Sequence, residues 1–247
     1  VNVEGSWGLP FWGGTTAFLG IYSTMMLNVS DYSRELKKTT KTSLAGFIYW
    51  SSILPATLFM GLIGLMVSSA TGIADPIKVF SSAVDNQLLL IVTLLFIAFA
   101  QVTTNILNNV VPPAYVLMDA FKWSYKKCAV AVGILSCFTF PWKLVQDDSA
   151  SGLQIFVLTY SAFLGPIFAI LLVDFYVLRK QKLDLVELYK EDGNYRGINY
   201  AAIIATFVGA AVAFIEVKLS WYSSLIPAGL TYYILMKTMP SAQRFLK

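Results

Sequence analysis

The sequence predicts an all-α membrane protein, and three observations carry that prediction. Of 247 residues, 57% are hydrophobic and 13% charged, with a mean hydropathy of +0.65; soluble domains carry about 25% charged residues. Apolar runs approaching the ~20 residues of a bilayer-crossing helix recur seven times, at 10–28, 44–69, 87–110, 127–145, 152–177, 200–217 and 221–238. The basic residues are distributed unevenly between those runs.

The first run, "LPFWGGTTAFLGIYSTMMLN", contains the pair Gly13-Gly14. Paired glycines weaken a helix and invite an unwound turn. Discontinuous helices of that kind aim half-helix ends at substrate or ion near the bilayer midplane. Trp12 adjoins the expected break and has two uses, stacking on a flat ring or anchoring in the interface. Between the second and third runs, "DPIKVFSSAVDNQ" is apolar but short and fits a helix lying along the surface. The fourth run holds the two cysteines, Cys128 and Cys137. They lie roughly 13 Å apart along a helix, too far to bridge, and read as packing residues. In the last three runs Asp174 and Glu216 sit near span ends, where they can reach headgroups. No carboxylate occupies a span centre, where a proton relay would normally leave one. That pattern favours a metal cation held by neutral oxygens over protons.

Charge tests the span count. Arg34, Lys37, Lys38 and Lys41 follow the first run, and Lys122, Lys126 and Lys127 the third. Arg179, Lys180, Lys182, Lys190 and Arg196 follow the fifth, and Lys237, Arg244 and Lys247 the seventh. Those alternate segments hold fifteen of the 18 Lys and Arg residues, leaving only Lys78, Lys143 and Lys218 on the other side. Basic loops stay cytoplasmic. The expectation is therefore a multi-pass protein of the cytoplasmic membrane, N-terminus outside and C-terminus in the cytoplasm. Basic residues spent on topology do not form a nucleic-acid face.

Other classes are disfavoured. There is no His and no G-x-S-x-G, H-E-x-x-H, P-loop or Cys/His metal spacing, so neither an enzyme nor a cofactor is expected. A retinal-binding receptor would need a mid-helix Lys in its last span, which "WYSSLIPAGLTYYILMKT" lacks. The "NVS" at 28–30 falls at a cytoplasmic span end and reads as a chance glycosylation match. The chain opens at Val1 in a loop-like stretch, as expected for the C-terminal part of something longer.

The third run raises the functional question. In "FAQVTTNILNNVVPPAY", residues 99–115, a helix headed for lipid carries Gln101, Thr103, Thr104, Asn105, Asn108 and Asn109. Lipid offers polar groups no partner, so they must pair within the protein or meet a ligand. Ala100, Thr103 and Thr104 are spaced i, i+3, i+4 and share a face. One carbonyl and two hydroxyls then converge, the neutral oxygen set that a hard cation prefers. Asn109 lies roughly 140° around a straight helix from Thr104 and one to two turns further on. It would serve an adjacent pocket, where its amide both donates and accepts, matching an amide or imide edge. The competing use of these groups is hydrogen bonding between helices, worth about 0.6 kcal/mol per contact. Pro112-Pro113 is expected to end the helix by removing donors.

Several motifs carry a family resemblance. "NVSDYSR" closes the first run and "AQVTTNILNNVVPPAY" lies in the third. "FPWKL" ends the fourth, and "FLGPIFAILLVDFYVLRKQKLDLVELYKEDGNYRGINYAA" covers the fifth, its loop and the start of the sixth. Together, in this order and spacing, they resemble the nucleobase:cation symporter-1 family, and most of all its sodium–hydantoin symporter branch. The resemblance implies part of a leucine-transporter-like inverted-repeat fold. Residues 1–177 would be the second five-helix repeat and 178–247 a cytoplasmic loop with two C-terminal spans. The chain would thus be helices six to twelve, with helices one to five upstream as its missing partner. By position, the Ala100 carbonyl and the Thr103 and Thr104 hydroxyls would bind sodium. Asn109 would bond the substrate's amide edge, and Trp12, with Phe11 beside it, would stack on the ring. The implied function is import of a planar amide or imide ring, a hydantoin, allantoin or nucleobase, across the lipid bilayer with Na+ as the coupling ion. Two alternatives stay open: a proton-coupled cytosine, purine or thiamine permease of the same architecture, and a non-transporting membrane module.

Overall fold

The apolar runs are helical in the computed structural model, which describes residues 5, 7–33, 36–37, 39–73, 76–138, 142, 150–188, 190 and 192–246. In order they are α1 (Leu9–Leu27), α2 (Val29–Ser33), α3 (Thr42–Thr71), α4 (Pro76–Ala83), α5 (Gln87–Asn105), a π-helical turn Ile106–Val110, α6 (Val111–Phe121) and α7 (Tyr125–Cys137). Then come α8 (Ala150–Leu172), a second π turn Val173–Leu178, α9 (Leu185–Leu188), α10 (Tyr200–Ala213), a 3₁₀ turn Val217–Leu219, α11 (Ser220–Thr238), α12 (Pro240–Gln243) and a last 3₁₀ turn Arg244–Leu246. Helix closes every backbone hydrogen bond within its own segment, which a lipid environment requires. Thr42–Thr71, Gln87–Phe121 and Ile155–Leu178 are long and apolar enough to cross a membrane, and α10 is apolar but shorter.

Three expectations are corrected. Gly13-Gly14 does not break the first span, because α1 runs unbroken from Leu9 to Leu27. Gly13 is buried beside the Lys218 side chain, which a Cβ there would meet in ordinary contact at 3.4 Å. Pro112-Pro113 does not end the third span. Both prolines sit in the first turn of α6, where a missing N–H is tolerated, and the helix continues to Phe121. The sixth span is shorter than 200–217, because Phe214 caps α10 and Val217–Leu219 is a separate 3₁₀ turn. The end of the fourth span, the "FPWKL" motif apart from Trp142, and Arg34, Lys38, Lys143 and Lys247 lie outside the described residues.

The chain divides into two compact units. One, Asn28–Thr139, holds α2 to α7. Here α3 stops where Gly72 turns left-handed at φ 73° and its N–H returns to the Ser68 carbonyl. The Asn86 side chain starts α5 by accepting from the Leu89 N–H at 3.1 Å. Ala114 and Cys128 are fully buried in α6 and α7, and Tyr115 and Tyr125 bring their ring centroids to 5.9 Å.

The other unit, Glu4–Leu27 with Phe140–Lys247, holds α1 and α8 to α12. Its core gathers Ile170, Ala201, Ala205, Tyr232, Met236, Ala242 and Phe245. Membrane helices pack through small residues that let backbones approach, and α10 buries Ala201, Ala205, Gly209 and Ala213 on one stripe. A Cβ on Gly209 would meet the Ala228 Cβ and the Pro166 ring at 2.8 Å. Hydroxyls complete the packing: Thr16 donates to the Lys218 carbonyl at 2.7 Å and Ser220 to the Leu158 carbonyl at 3.2 Å. Gly209→Val is expected to lower the melting temperature of the purified protein in detergent, since overpacking costs about 1–3 kcal/mol. An unchanged melt would mean that α10, α11 and α8 do not pack this closely.

Candidate functional site

The oxygen-bearing stretch spans the end of α5 and the first π turn. The cause of that turn is local. Pro112 and Pro113 have no N–H to give the carbonyls of Asn108 and Asn109. The ladder widens instead, and the Val111 N–H reaches the Ile106 carbonyl five residues back. A π turn holds an extra residue and therefore rotates less per residue. Asn109 thus swings toward the face of Thr104, reducing the offset expected of a straight helix.

On that face the Thr103 hydroxyl donates to the Ala100 carbonyl at 2.9 Å and to the Phe99 carbonyl at 3.1 Å. Such bonds to the preceding turn are usual for a helical Thr, and Thr104 follows directly in sequence. Thr103, Thr104 and Asn109 are exposed and Ala100 is half-buried. Neither the Thr104 hydroxyl nor the Asn109 side-chain amide forms a hydrogen bond with another described residue. Their polar groups are not spent on helix-to-helix contacts among the described residues. The donor set is neutral and all-oxygen, which suits a monovalent or other hard cation. No group of three or more His, Cys, Asp or Glu suited to a metal occurs among the described residues.

Trp12 and Phe11 stand in the other unit, near the start of α1. Trp12 is 42% exposed and Phe11 39%. The Trp12 indole meets Phe11 edge-on with centroids 5.5 Å apart and Tyr222 of α11 at 5.3 Å. Trp7 lies 5.0 Å from Phe11. These contacts set the edge of one ring against the face of the other and give the indole a partner, Tyr222, that the sequence did not point to.

A second polar cluster was also missed. Asp174 does not reach toward headgroups. Its carboxylate accepts from Arg179 Nε at 2.6 Å and from the Tyr232 hydroxyl at 2.8 Å. Burial works against the Arg179 charge, but the Asp174 carboxylate outweighs it and raises the guanidinium pKa above its ordinary value. Glu216 likewise turns inward to its own turn and accepts from the Lys218 N–H at 3.0 Å. The signal for the Asp174 cluster is the spacing of Asp174 and Arg179, which only a π turn brings onto one face.

Comparison with known proteins agrees with this architecture. The sequence model of a family described as permeases for cytosine/purines, uracil, thiamine and allantoin matches residues 1–236. An allantoin permease of Bacillus subtilis is 29% identical over 94% of the chain and 50% of its own length. A purine-uracil permease of Arabidopsis thaliana is 32% identical over 81% of the chain and 34% of its own length. A hydantoin permease of Microbacterium maritypicum is 25% identical over 93% of the chain and 49% of its own length. The chain thus spans half or less of the length of these relatives. A solved structure of Mhp1 in its inward-facing conformation superposes with a TM-score of 0.76 at 22% identity, covering 97% of the chain and 56% of that protein. The chain is therefore all-α and has part of a leucine-transporter-like fold.

Proposed function

The chain belongs to the family of permeases for cytosine/purines, uracil, thiamine and allantoin, and from that premise we propose that it is the C-terminal part of a sodium-coupled secondary transporter. Its work is transport, not catalysis. Residues 1–177 form the second five-helix repeat and 178–247 the cytoplasmic loop and C-terminal pair, with helices one to five supplied upstream. The N-terminal end of this chain faces outside and the C-terminus the cytoplasm, the arrangement that the basic loops support. Sodium binds the Ala100 carbonyl and the Thr103 and Thr104 hydroxyls. Asn109 bonds the amide edge of the cargo, and Trp12 and Phe11 cover its ring face. The cargo is a hydantoin, allantoin or a nucleobase such as uracil, a class supported by the allantoin, purine-uracil and hydantoin permeases among the relatives.

The observation that carries this reading is the uncommitted polar surface of Thr104 and Asn109, beside a Thr103 hydroxyl already directed at the Ala100 carbonyl. Among the described residues, helix-to-helix hydrogen bonding does not use these two side chains. The test is uptake of radiolabelled allantoin, hydantoin and uracil by cells expressing the full-length protein, with and without sodium. Sodium-stimulated uptake of at least one ring is expected. Uptake of every candidate at the same rate without sodium would refute the coupling, and a response to an imposed proton gradient alone would point to a proton-coupled permease.

A further inference from the structure

The Asp174 cluster joins four segments. Arg179 spends all three guanidinium nitrogens: Nε on the Asp174 carboxylate at 2.6 Å, Nη1 on the Tyr195 hydroxyl at 2.9 Å, and Nη2 on the Phe245 carbonyl at 2.8 Å. The guanidinium also lies 4.8 Å from the Tyr195 ring centroid. Tyr232 of α11 holds the second Asp174 oxygen at 2.8 Å, and Asn199 donates to that same hydroxyl at 3.4 Å. The end of α8, the loop before α10, helix α11 and the C-terminal tail therefore share one ion pair.

The tail is seated on both sides of this junction. Ala242 and Phe245 are buried in the core with Ile170 and Met236. Arg244 donates to the Arg196 carbonyl at 3.1 Å, and Gly197, at φ 101°, leaves room for it: a Cβ there would lie 2.7 Å from Nη2. A part-buried ion pair is weak evidence for stability, because desolvation offsets most of its attraction; its best-supported use is fixing one arrangement among several. An ionisable residue in a π turn at the end of a membrane span, as Asp174 is, is rarely passive.

We propose that Asp174 and Arg179 are positioning residues that clamp the end of α8 to α11 and the C-terminal tail, so that these segments keep one arrangement and move as one body when the protein changes conformation. The C-terminal helix pair and tail then travel with α8. The ligand arm of the test rests on the transport reading; the variant arm does not.

Spin labels are placed at Lys182→Cys and Thr238→Cys in the full-length protein with exposed Cys137 replaced by Ser, and the distance between them is measured by pulsed electron resonance. The expected result is a single distance, the same without ligand and with saturating allantoin. Arg179→Lys keeps the charge but loses the rigid fork, and is expected to broaden or split that distance even without ligand. Removal of residues 240–247 should do the same, and the two changes together should add nothing further, as for partners in one network. Tyr232→Phe removes one donor from the clamp and gives a milder broadening in a variant that keeps the core filled. A distance that shifts when allantoin binds the unaltered protein would overturn the one-body claim. Distances in Arg179→Lys and Tyr232→Phe as narrow as in the parent would overturn the clamp. Absence of binding of allantoin, hydantoin and uracil alike, alongside the expected broadening, would count against the transport reading and leave the clamp supported.

Discussion

Asn109→Ala is expected to weaken binding of the ring substrate to the full-length protein by about 10- to 100-fold, the equivalent of about 1–3 kcal/mol for a hydrogen-bonded group removed from a site. The melting temperature should not change, because the Asn109 side chain is exposed and forms no hydrogen bond with another described residue. Equilibrium binding of labelled allantoin, hydantoin or uracil, measured beside a thermal melt, separates the two. Asn109→Gln keeps the amide but extends it by one methylene, and should recover little. Unchanged affinity in Asn109→Ala would remove the residue from the site. A lowered melt with unchanged affinity would make it a packing residue.

The double change Thr103→Ala and Thr104→Ala is expected to abolish sodium stimulation of uptake. Hydrogen bonds and ligand contacts to charged groups are worth about 1.5–3 kcal/mol each. Losing two hydroxyls should therefore raise the sodium concentration for half-maximal stimulation by at least about 100-fold. Helix α5 should tolerate the change, since the Thr103 hydroxyl bonds only to carbonyls of its own preceding turn and Ala is the better helix former. Thr103→Ser and Thr104→Ser restore the oxygens and should restore stimulation. Stimulation that survives in the alanine pair would move the cation elsewhere. Uptake that becomes faster in acid and indifferent to sodium in the parent protein would make protons the coupling ion.

The fold was legible because lipid leaves the chain few choices. Without water to satisfy the backbone, each apolar run had to become a helix, and helices Leu9–Leu27, Thr42–Thr71 and Ser220–Thr238 start and stop within a few residues of the runs at 10–28, 44–69 and 221–238. Less legible was what Gly and Pro do inside a span. Local rules read Gly13-Gly14 as a break and Pro112-Pro113 as a stop. The first stays helical, since α1 runs unbroken from Leu9 to Leu27 and buries Gly13. Widening of the hydrogen-bond ladder to a π turn at Ile106–Val110 accommodated the second. That same turn changes the angular place of Asn109, which no fixed helical period could anticipate.

The candidate site was half visible. The i, i+3, i+4 spacing of Ala100, Thr103 and Thr104 brought a carbonyl and a hydroxyl together as geometry requires, at 2.9 Å. The partner of Trp12, Tyr222, lies in a helix 210 positions later in sequence, and nothing in either local stretch couples them. Asp174 looked like a span-end carboxylate because its partners, Tyr232 and Arg179, are respectively distant in sequence and five residues away, a spacing that faces the same side only in a π turn.

The most direct test of the central claim is the affinity of the purified full-length protein for labelled allantoin, titrated at several sodium concentrations, together with the affinity for sodium at several allantoin concentrations. The account predicts that each ligand tightens the other by the same factor, as two sites sharing one helix and one conformational equilibrium must. Affinities for ring and ion that do not depend on each other would contradict it.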